Sequence, residues 1–500
     1  MMQAWSASNK WTWNTTGLAS GTYQLNTYVR QSGSTATYEA YLSPTLTYRL
    51  ATGWHGTNAA GVSAADEGFC CVPPDTTGAI GPQNYVEAIN TTIAVYDRNL
   101  NLVASSDVAS FAGAGSLNVS DEQIQWDPRS GRWLYTLVGF STDFTTTEVL
   151  VGWSKTADPT NLSTGWCRFG VPSQSMLPDY PKLGHDDNFI LVGANIYDMS
   201  KSTQPFVTAQ IYALTKPAAG DTSCATPMVY YFADSHHLLK NSDGSPAFTP
   251  VPANTFDASQ GGFIVAAHTP TLAPLGPQTK VMSWHVSRQS SGNPVLNADG
   301  DLTVNTFDVP ASVPQPGGAP PIDSLDARLT QAVAHADPNA GGAEAVWTQH
   351  TINGPGGRSV VRWYELLPAT RSVRQQGQVA HPTDFVFNGA ISPSISGNDA
   401  VVIYDRGGTA ESPVVAGQGH SATAALGTLD SGETIIATST DIDTDISCSA
   451  PYGPPCRWGD YAGASPDPLN AGVVWATEEW SGPSYFGFPG WGTQNFALAT

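Results

Sequence analysis

The sequence predicts an all-β protein, a seven-bladed β-propeller preceded by a short β segment, with a six-bladed ring that carries a large insertion as the alternative. Composition is the first reason. Charged residues make up only 13% of the 500 residues, whereas 49 glycines, 37 prolines and 10% aromatic residues are typical of a turn-rich β protein. The second reason is repetition, because short strands that end in Asp, Asn, Gly and Pro turns recur along most of the chain.

The repeated unit consists of a strand of small residues, a tight turn and a more apolar strand that often carries Trp or Tyr. Its turns lie near residues 82, 128, 187, 338, 398 and 468. Two strands, at 262–267 and 281–286, indicate one more unit in the longest gap. The last unit is short of a strand. We therefore expect residues 51–74 to be a linker or a ring-closing strand, and assign residues 75–500 to the propeller.

Residues 1–50 are assigned to a partial immunoglobulin-like β segment. Aromatic and polar residues alternate between residues 11 and 41, which is a strand pattern. Because a complete sandwich needs about 100 residues, the segment is expected to pack on the propeller or to pair with another chain. Self-association through residues 11–50 by strand addition is therefore one predicted property.

Charge excludes some partners. The 42 acidic and 21 basic residues give a net charge of −21, which argues against a nucleic-acid partner, since phosphate binding needs a surplus of Lys and Arg. There is no stretch of 18 apolar residues that would predict a membrane span.

Six cysteines favour an oxidising compartment, outside the cell or on its surface. The pair Cys448–Cys456 flanks a turn-rich loop and is the first disulfide we expect, followed by Cys167–Cys224. Adjacent cysteines have Cα atoms about 3.8 Å apart, below the usual disulfide range. Cys70 and Cys71 are therefore expected to be unpaired or to pair elsewhere.

Four motifs resemble those of a largely uncharacterised group of secreted bacterial β-propeller proteins, which is similar in outline to sialidases. The motifs occupy residues 72–82, 177–184, 362–366 and 457–463, with the sequences VPPDTTGAIGP, LPDYPKLG, RWYEL and RWGDYAG. The resemblance covers about residues 70–500. It implies a secreted propeller but carries no assigned catalytic residues, and the strict sialidase Asp-box is absent from this sequence.

Charged and phenolic residues at the leading ends of the predicted inner strands form the candidate catalytic site, because these ends converge on one mouth of a propeller channel. They are Asp75, Asp179, Tyr180, Asp326, Arg328, Arg457, Asp460 and Tyr461. Glycoside hydrolysis needs two carboxyl groups that flank the scissile bond. Similarity to sialidases implies a Tyr nucleophile and arginines that bind a substrate carboxylate. The alternative is that these residues hold neighbouring blades together through buried hydrogen bonds.

A second candidate is the alternating run from Thr440 to Asp445. Its carboxylates, on Asp441, Asp443 and Asp445, are hard oxygen ligands of the kind that suits Ca²⁺. The run lacks the glycine and the distal glutamate of an EF-hand, and a solvated acidic turn is the alternative.

The predicted function is recognition of an extracellular carbohydrate or related polymer at the channel mouth, and the residues leave open whether hydrolysis follows. The sequence contains no serine-hydrolase elbow, zinc-protease motif, nucleotide-binding loop or dinucleotide fingerprint. The alternative function is that of a non-catalytic structural or adhesive propeller. Solvent access decides between the two, since a catalytic carboxyl group has to face an open pocket.

Overall fold

A computed structural model describes residues 21–25, 28–29, 31–41, 46–50, 54–66, 72–258, 261–272, 275–485 and 488–500. The predictions for Cys70, Cys71 and the strand at 11–20 lie outside the described residues. The chain divides into two compact units, Met1–Thr52 and Gly53–Thr500. Among the described residues, no helix is long and apolar enough to cross a membrane.

The first unit contains two antiparallel strand pairs. Strand β1 (Gly21–Leu25) pairs with β4 (Leu46–Leu50), and β2 (Tyr28–Val29) pairs with β3 (Ala40–Tyr41). The Tyr28 and Tyr38 rings lie 4.9 Å apart. Residues of this unit therefore form strands, as predicted, while the immunoglobulin-like character of the segment stays a prediction.

The second unit is built of strands, with one short α-helix, α1 (Val108–Ala112), and five 3₁₀ turns in the part that the structure describes. Five separate antiparallel sheets have four strands each. Two of them consist of β6 (Thr77–Ile80), β7 (Asn84–Ala88), β8 (Thr92–Asp97) and β9 (Leu102–Asp107), and of β10 (Asn118–Asp127), β11 (Arg132–Phe140), β12 (Thr147–Ser154) and β13 (Trp166–Pro172). The third and fourth consist of β18 (Val251–Pro252), β20 (Gly261–Ala267), β21 (Gln278–Arg288) and β22 (Pro294–Phe307), and of β27 (Phe385–Pro393), β28 (Ala400–Gly408), β29 (Glu411–His420) and β30 (Thr434–Thr438). The fifth consists of β31 (Gly463–Pro466), β32 (Val473–Tyr485), β33 (Phe488–Ala499) and β5 (Trp54–Ser63).

The nine other strands of this unit form a single sheet. One antiparallel run of four consists of β14 (Met176–His185), β15 (Phe189–Asp198), β16 (Phe206–Thr215) and β17 (Val229–Phe232). The other consists of β23 (Gln331–Asp337), β24 (Ala343–Asn353), β25 (Ser359–Leu367) and β26 (Ser372–Val379). Strand β19 (Asn254–Thr255) pairs in parallel with both β14 and β23 and joins the two runs. The predicted count of seven separate blades, or of six, is therefore wrong: five separate blades are present, because this two-residue strand merges the remaining strands into one sheet.

The sheets have a β-propeller arrangement. Their first strands contact one another in chain order: β6 with β10, β10 with β14, β14 with β18 and β19, β19 with β23, β23 with β27, and β27 with β31. Strand β31 then contacts β6. Strand β5, which precedes all the other strands of the unit, pairs with β33 at the outside of the last sheet. The two ends of the unit thus share one sheet, which ties the first and last parts of the ring together.

The predicted Asp-Pro turns are confirmed, and their chemistry is local. The turns at Asp127, Asp337 and Asp467 join the first and second strands of three units. In each turn the aspartate carboxylate accepts the backbone amide two residues further on, at distances of 3.0, 2.7 and 2.9 Å. Such side-chain bonds are the reason why Asp begins turns.

The core lies between neighbouring sheets and is rich in Trp. Tyr85 of β7 stacks on Trp475 of β32 with ring centroids 5.6 Å apart, and the Trp475 Nε1 group donates to the Asp467 carboxylate at 2.9 Å. Two predicted disulfides, Cys167–Cys224 and Cys448–Cys456, are confirmed. They indicate an oxidising, extracellular environment.

Candidate functional site

The leading ends of the inner strands have an unusual backbone. Six non-glycine residues here have φ between 43° and 71°: Asp75, Asp121, Tyr180, Thr249, Ala327 and Asn388. Register shifts accompany three of them, in β10, β14 and β27. Left-handed non-glycine residues cost on the order of 1–3 kcal/mol each and cluster at functional sites, and bulges redirect side chains. The backbone therefore marks one end of the channel as the candidate site.

All eight residues predicted for the catalytic site lie together at this end. With Asp121 and Lys182 they form what we call the mouth cluster. Asp460 is its hub. The Asp460 amide donates to Asp75 Oδ1 at 2.8 Å, its carbonyl accepts the Tyr180 hydroxyl at 2.6 Å, and its carboxylate pairs with Arg457 Nη2 at 2.6 Å. The rings of Tyr180 and Tyr461 lie 4.7 Å apart.

Both arginines of the cluster are already paired. The Arg328 guanidinium donates to the two oxygens of Asp326 at 2.7 and 2.8 Å, and lies 4.6 Å from the centre of the Tyr180 ring. Burial raises the pKa of Asp326, but Arg328 outweighs this and holds that pKa below its ordinary value. An arginine clamp for a substrate carboxylate, which similarity to sialidases implies, is therefore not preformed here.

Asp75 is the most deeply buried of the predicted catalytic carboxyl groups and contacts Asp460. Its side chain is 2% exposed, and its carboxylate accepts from the Asn90 side chain and from the Asp460 amide, both at 2.8 Å. Burial and the nearby Asp460 and Asp121 carboxylates raise the pKa of Asp75 well above its ordinary value. This residue is buried and paired, so it is a positioning residue rather than a group that meets a ligand.

Asp179 differs from the other carboxyl groups. It is half-buried, and it receives no hydrogen bond from the part of the chain that the structure describes. Burial and the Asp121 carboxylate raise the pKa of Asp179 to about 7, against the opposite effect of Arg328. A carboxyl group that is half protonated near neutral pH can serve as a general acid.

Solvent access of the predicted catalytic carboxyl groups was to distinguish an enzyme from a structural propeller. Three of these four groups are partly accessible to solvent. Asp179 is half-buried, and the side chains of Asp326 and Asp460 are 23% and 19% exposed. Only Asp75 is closed off. These three carboxyl groups therefore keep some contact with solvent, which a catalytic group needs.

Lys182 is the main residue of the cluster that the sequence did not reveal. It is 1% exposed, its Nζ lies 3.9 and 3.7 Å from the ring centres of Tyr180 and Tyr461, and no described residue bonds to it. Burial lowers the pKa of this amine well below its ordinary value. The bulge between Asp179 and Lys182 sets the direction of this side chain. Such a bulge could not be read from the strand pattern.

Asp121 was missed as well, although it stands at the leading end of β10 as its partners do in β14. Its Oδ2 accepts the Tyr180 amide at 3.0 Å, and its own amide donates to the Asn90 side chain at 2.9 Å. The signal that would have found it is its place in the repeat, because the corresponding ends of β6, β14 and β31 carry Asp75, Asp179 and Asp460.

An aromatic wall stands beside Asp179 and Arg328. Tyr197 and Phe206 are half-buried, with ring centres 5.8 Å apart, and Phe206 lies 5.4 Å from Phe248. Phe248 in turn lies 5.1 Å from the Arg328 guanidinium. The two half-buried rings, next to carboxyl groups, are suited to the apolar face and the hydroxyl groups of a sugar ring.

The structure separates the three residues predicted to bind Ca²⁺. Asp441 is exposed, and its carboxylate accepts the next amide, that of Ile442. Asp443 is 6% exposed, with Oδ2 unpaired among the described residues. Burial and the adjacent Asp445 carboxylate raise the pKa of Asp443 to about 8. Two neighbouring carboxyl groups fall short of the 6–8 oxygens that Ca²⁺ takes, so water or other groups would have to complete such a site.

Comparison with known proteins was made at the levels of sequence and structure. No family model and no curated protein matches the sequence. Among solved structures, the chain is similar to the Dos1 propeller (11% identity, 89% of this chain and 95% of that chain, TM-score 0.39). It is also similar to Trypanosoma rangeli sialidase (8%, 88% and 59%, 0.36) and to Penicillium chrysogenum α-L-arabinanase (10%, 72% and 95%, 0.38). Such low identities and TM-scores carry no argument about function, which has to come from the site.

Proposed function

We propose that the protein binds an extracellular carbohydrate or related polymer at the mouth cluster and hydrolyses it with Asp179 as general acid. One observation carries the proposal: Asp179 is the one carboxyl group of the cluster without a hydrogen-bond donor among the described residues, and its pKa is about 7. The other four are each bonded to an amide, a side chain or an arginine.

The second carboxyl group of the reaction is assigned to Asp326. Arg328 keeps it ionised, as a group that activates water or stabilises positive charge on the sugar must be. A tyrosine nucleophile is less well supported. The Tyr180 hydroxyl is engaged by the Asp460 carbonyl, and burial raises the pKa of Tyr461 well above its ordinary value. The aromatic wall would hold the sugar ring beside Asp179.

The direct test combines a glycan array with a screen of glycosidase substrates. We expect wild-type protein to bind at least one polysaccharide class and to release reducing ends from it. Asp179→Asn is expected to bind the same class without turnover. Binding and turnover that are both absent across the array would contradict the proposal, and binding without turnover in the wild type would leave only the recognition part.

The rate of hydrolysis is expected to fall as the pH rises through about 7, because a general acid acts in its protonated form and the pKa of Asp179 is about 7. The test is kcat measured on both sides of that pH. In Asp121→Asn the alkaline fall should move to lower pH, since the Asp121 carboxylate raises the pKa of Asp179. A rate that does not change across pH 7 would contradict the role of Asp179.

A non-catalytic assembly role has one specific observation in its favour. The first unit exposes apolar side chains, with Tyr28 47%, Val29 56% and Tyr38 46% exposed. We propose self-association through residues 11–50 as the second candidate function. The expected result is a mass in solution that rises with protein concentration, and that rises less in Val29→Ser. A mass that stays monomeric at every concentration would exclude it.

Ca²⁺ at Asp441, Asp443 and Asp445 is kept as a proposal. Its support is the pair Asp443 and Asp445, whose close carboxyl groups would lose their shared proton to water when a cation binds. The titration described in the next subsection includes a variant for this loop.

A further inference from the structure

Two carboxyl groups are buried between the last two sheets without a basic partner among the described residues. Asp405 of β28 and Glu478 of β32 are both 0% exposed. Both oxygens of Glu478 and Oδ1 of Asp405 have no hydrogen-bond partner among the described residues. An ionised carboxylate in this position costs several kcal/mol unless it is paired.

No basic side chain of the described residues forms an ion pair with either group. The neighbours that act on Glu478 are the Asp405 and Glu479 carboxyl groups, and Asp405 is approached by Trp458 and Asn388. Glu479 is itself 3% exposed and accepts the Gly459 amide at 2.8 Å. Three acidic groups thus lie close together here, burial disfavours their charged forms, and none of the described residues supplies a counter-ion.

Asn388 adds an independent observation. Its side chain is 6% exposed and faces Asp405, whose charged form it stabilises, while its Nδ2 atom has no hydrogen bond of good geometry among the described residues. The oxygen and nitrogen of an amide exchange places by a simple flip of the side chain. Asn388 can therefore turn a neutral carbonyl oxygen toward a cation bound beside Asp405.

We propose that Asp405, Glu478 and Asn388 form a binding site for a divalent cation of the Ca²⁺ type. All the donors are hard oxygens, which Ca²⁺ prefers, and no thiol or imidazole of the kind that favours zinc is among them. One divalent ion neutralises the two carboxylates. Flexible coordination lets water supply the remaining ligands.

The site has a consequence for the mouth cluster. The indole of Trp458 donates to Asp405 Oδ2 at 2.7 Å, and the next amide, of Gly459, donates to Glu479. These residues lie in the segment that carries Arg457, Asp460 and Tyr461. The cation therefore anchors that segment, and its removal weakens ligand binding although no residue of the mouth is changed.

Terbium luminescence tests the site, because Tb³⁺ replaces Ca²⁺ and is sensitised by a nearby Trp such as Trp458. When Tb³⁺ is added to the metal-free full-length protein, we expect sensitised Tb³⁺ emission, and we expect an excess of Ca²⁺ to abolish it. Asp405→Asn and Glu478→Gln should each weaken Tb³⁺ binding by at least about tenfold, whereas the control Asp198→Asn, on strand β15 of another sheet, should leave it unchanged. Absence of binding in the wild type, or normal binding in both variants, overturns the proposal. Loss only in Asp443→Asn places the ion in the loop at 440–445 and overturns it too.

A second measurement uses only the wild type, in case the variants do not fold. Burial raises the pKa of both carboxyl groups, so protons compete with the cation as the pH falls. Ca²⁺ is expected to raise the melting temperature at about pH 8 and to have a smaller effect at about pH 5. If Ca²⁺ does not change the melting temperature at either pH, the proposed site is wrong.

Discussion

Asp179→Asn is expected to lower the rate of polysaccharide hydrolysis by about 10²–10⁴-fold, the usual contribution of general acid–base catalysis. Asparagine has nearly the same shape, and Asp179 accepts no hydrogen bond from the described residues that the change could break. Binding should therefore persist. The measurement is kcat and the dissociation constant for the substrate that the array identifies.

Asp198→Asn is the matched control for Asp179. It lies on β15, next to β14. Among the described residues its carboxylate accepts a hydrogen bond from the Ser200 amide at 3.0 Å and forms an ion pair with Lys201 Nζ at 4.0 Å. Its rate should equal that of the wild type. Equal losses in the two variants, or full activity in Asp179→Asn, would remove Asp179 from the mechanism.

Asp127→Asn is expected to destabilise the protein by about 3–5 kcal/mol, the range for removal of one partner from a buried ion pair. Asp127 is 0% exposed, and its carboxylate accepts from Lys216 Nζ at 2.6 Å and from the Arg129 amide at 3.0 Å. The Lys216 side chain is only 7% exposed. Without the carboxylate, a buried ammonium group loses its counter-ion. Denaturant unfolding measures the change.

Asp187→Asn provides the surface comparison. Its pair with Arg129, in which the two side chains are 27% and 49% exposed, should contribute only about 0–1 kcal/mol. Replacing both members of the buried pair, Asp127→Asn with Lys216→Met, should recover much of the loss, because no charge stays unpaired. A double variant as unstable as the single one would mean that Asp127 acts through its turn rather than through Lys216.

The pH dependence of this pair has a definite sign. Burial raises the pKa of Asp127, but His185 and Lys216 outweigh this and bring it to about 2, below the ordinary 3.8. A lowered pKa means that the stabilisation is present above the unfolded value and is lost as the pH falls through about 2. The stability difference between the wild type and Asp127→Asn should therefore shrink between those two pH values.

Local chemistry explains why much of the fold was predictable. Asp127, Asp337 and Asp467 bond to their own turns, so the turns could be read without any knowledge of the rest of the chain. The eight candidate residues of the mouth were found for a related reason. They stand at the leading ends of repeated strands, and in a propeller the equivalent ends of these strands lie close together around one end of the channel.

Other features depend on contacts between distant residues. Asp443 was expected to share a cation with Asp441 and Asp445, but its backbone is held by the Gln315 side chain through two 2.8 Å hydrogen bonds from 128 residues away. This draws it inside while Asp441 stays exposed. Asp405 and Glu478 are also far apart in sequence, so neither the alternation of a strand nor a motif could reveal that they lie close together.

The sequence by itself determined the all-β class, the positions of the turns, two disulfides and the end of the channel at which charged residues gather. Each of these follows from residues that are near in sequence or repeated along it. Only the tertiary structure decided that β19 joins two runs into one sheet, that Lys182 turns under two tyrosine rings, and which carboxyl groups of the mouth are paired. Those outcomes depend on bulges, burial and long-range electrostatics, which exist only once the strands are assembled.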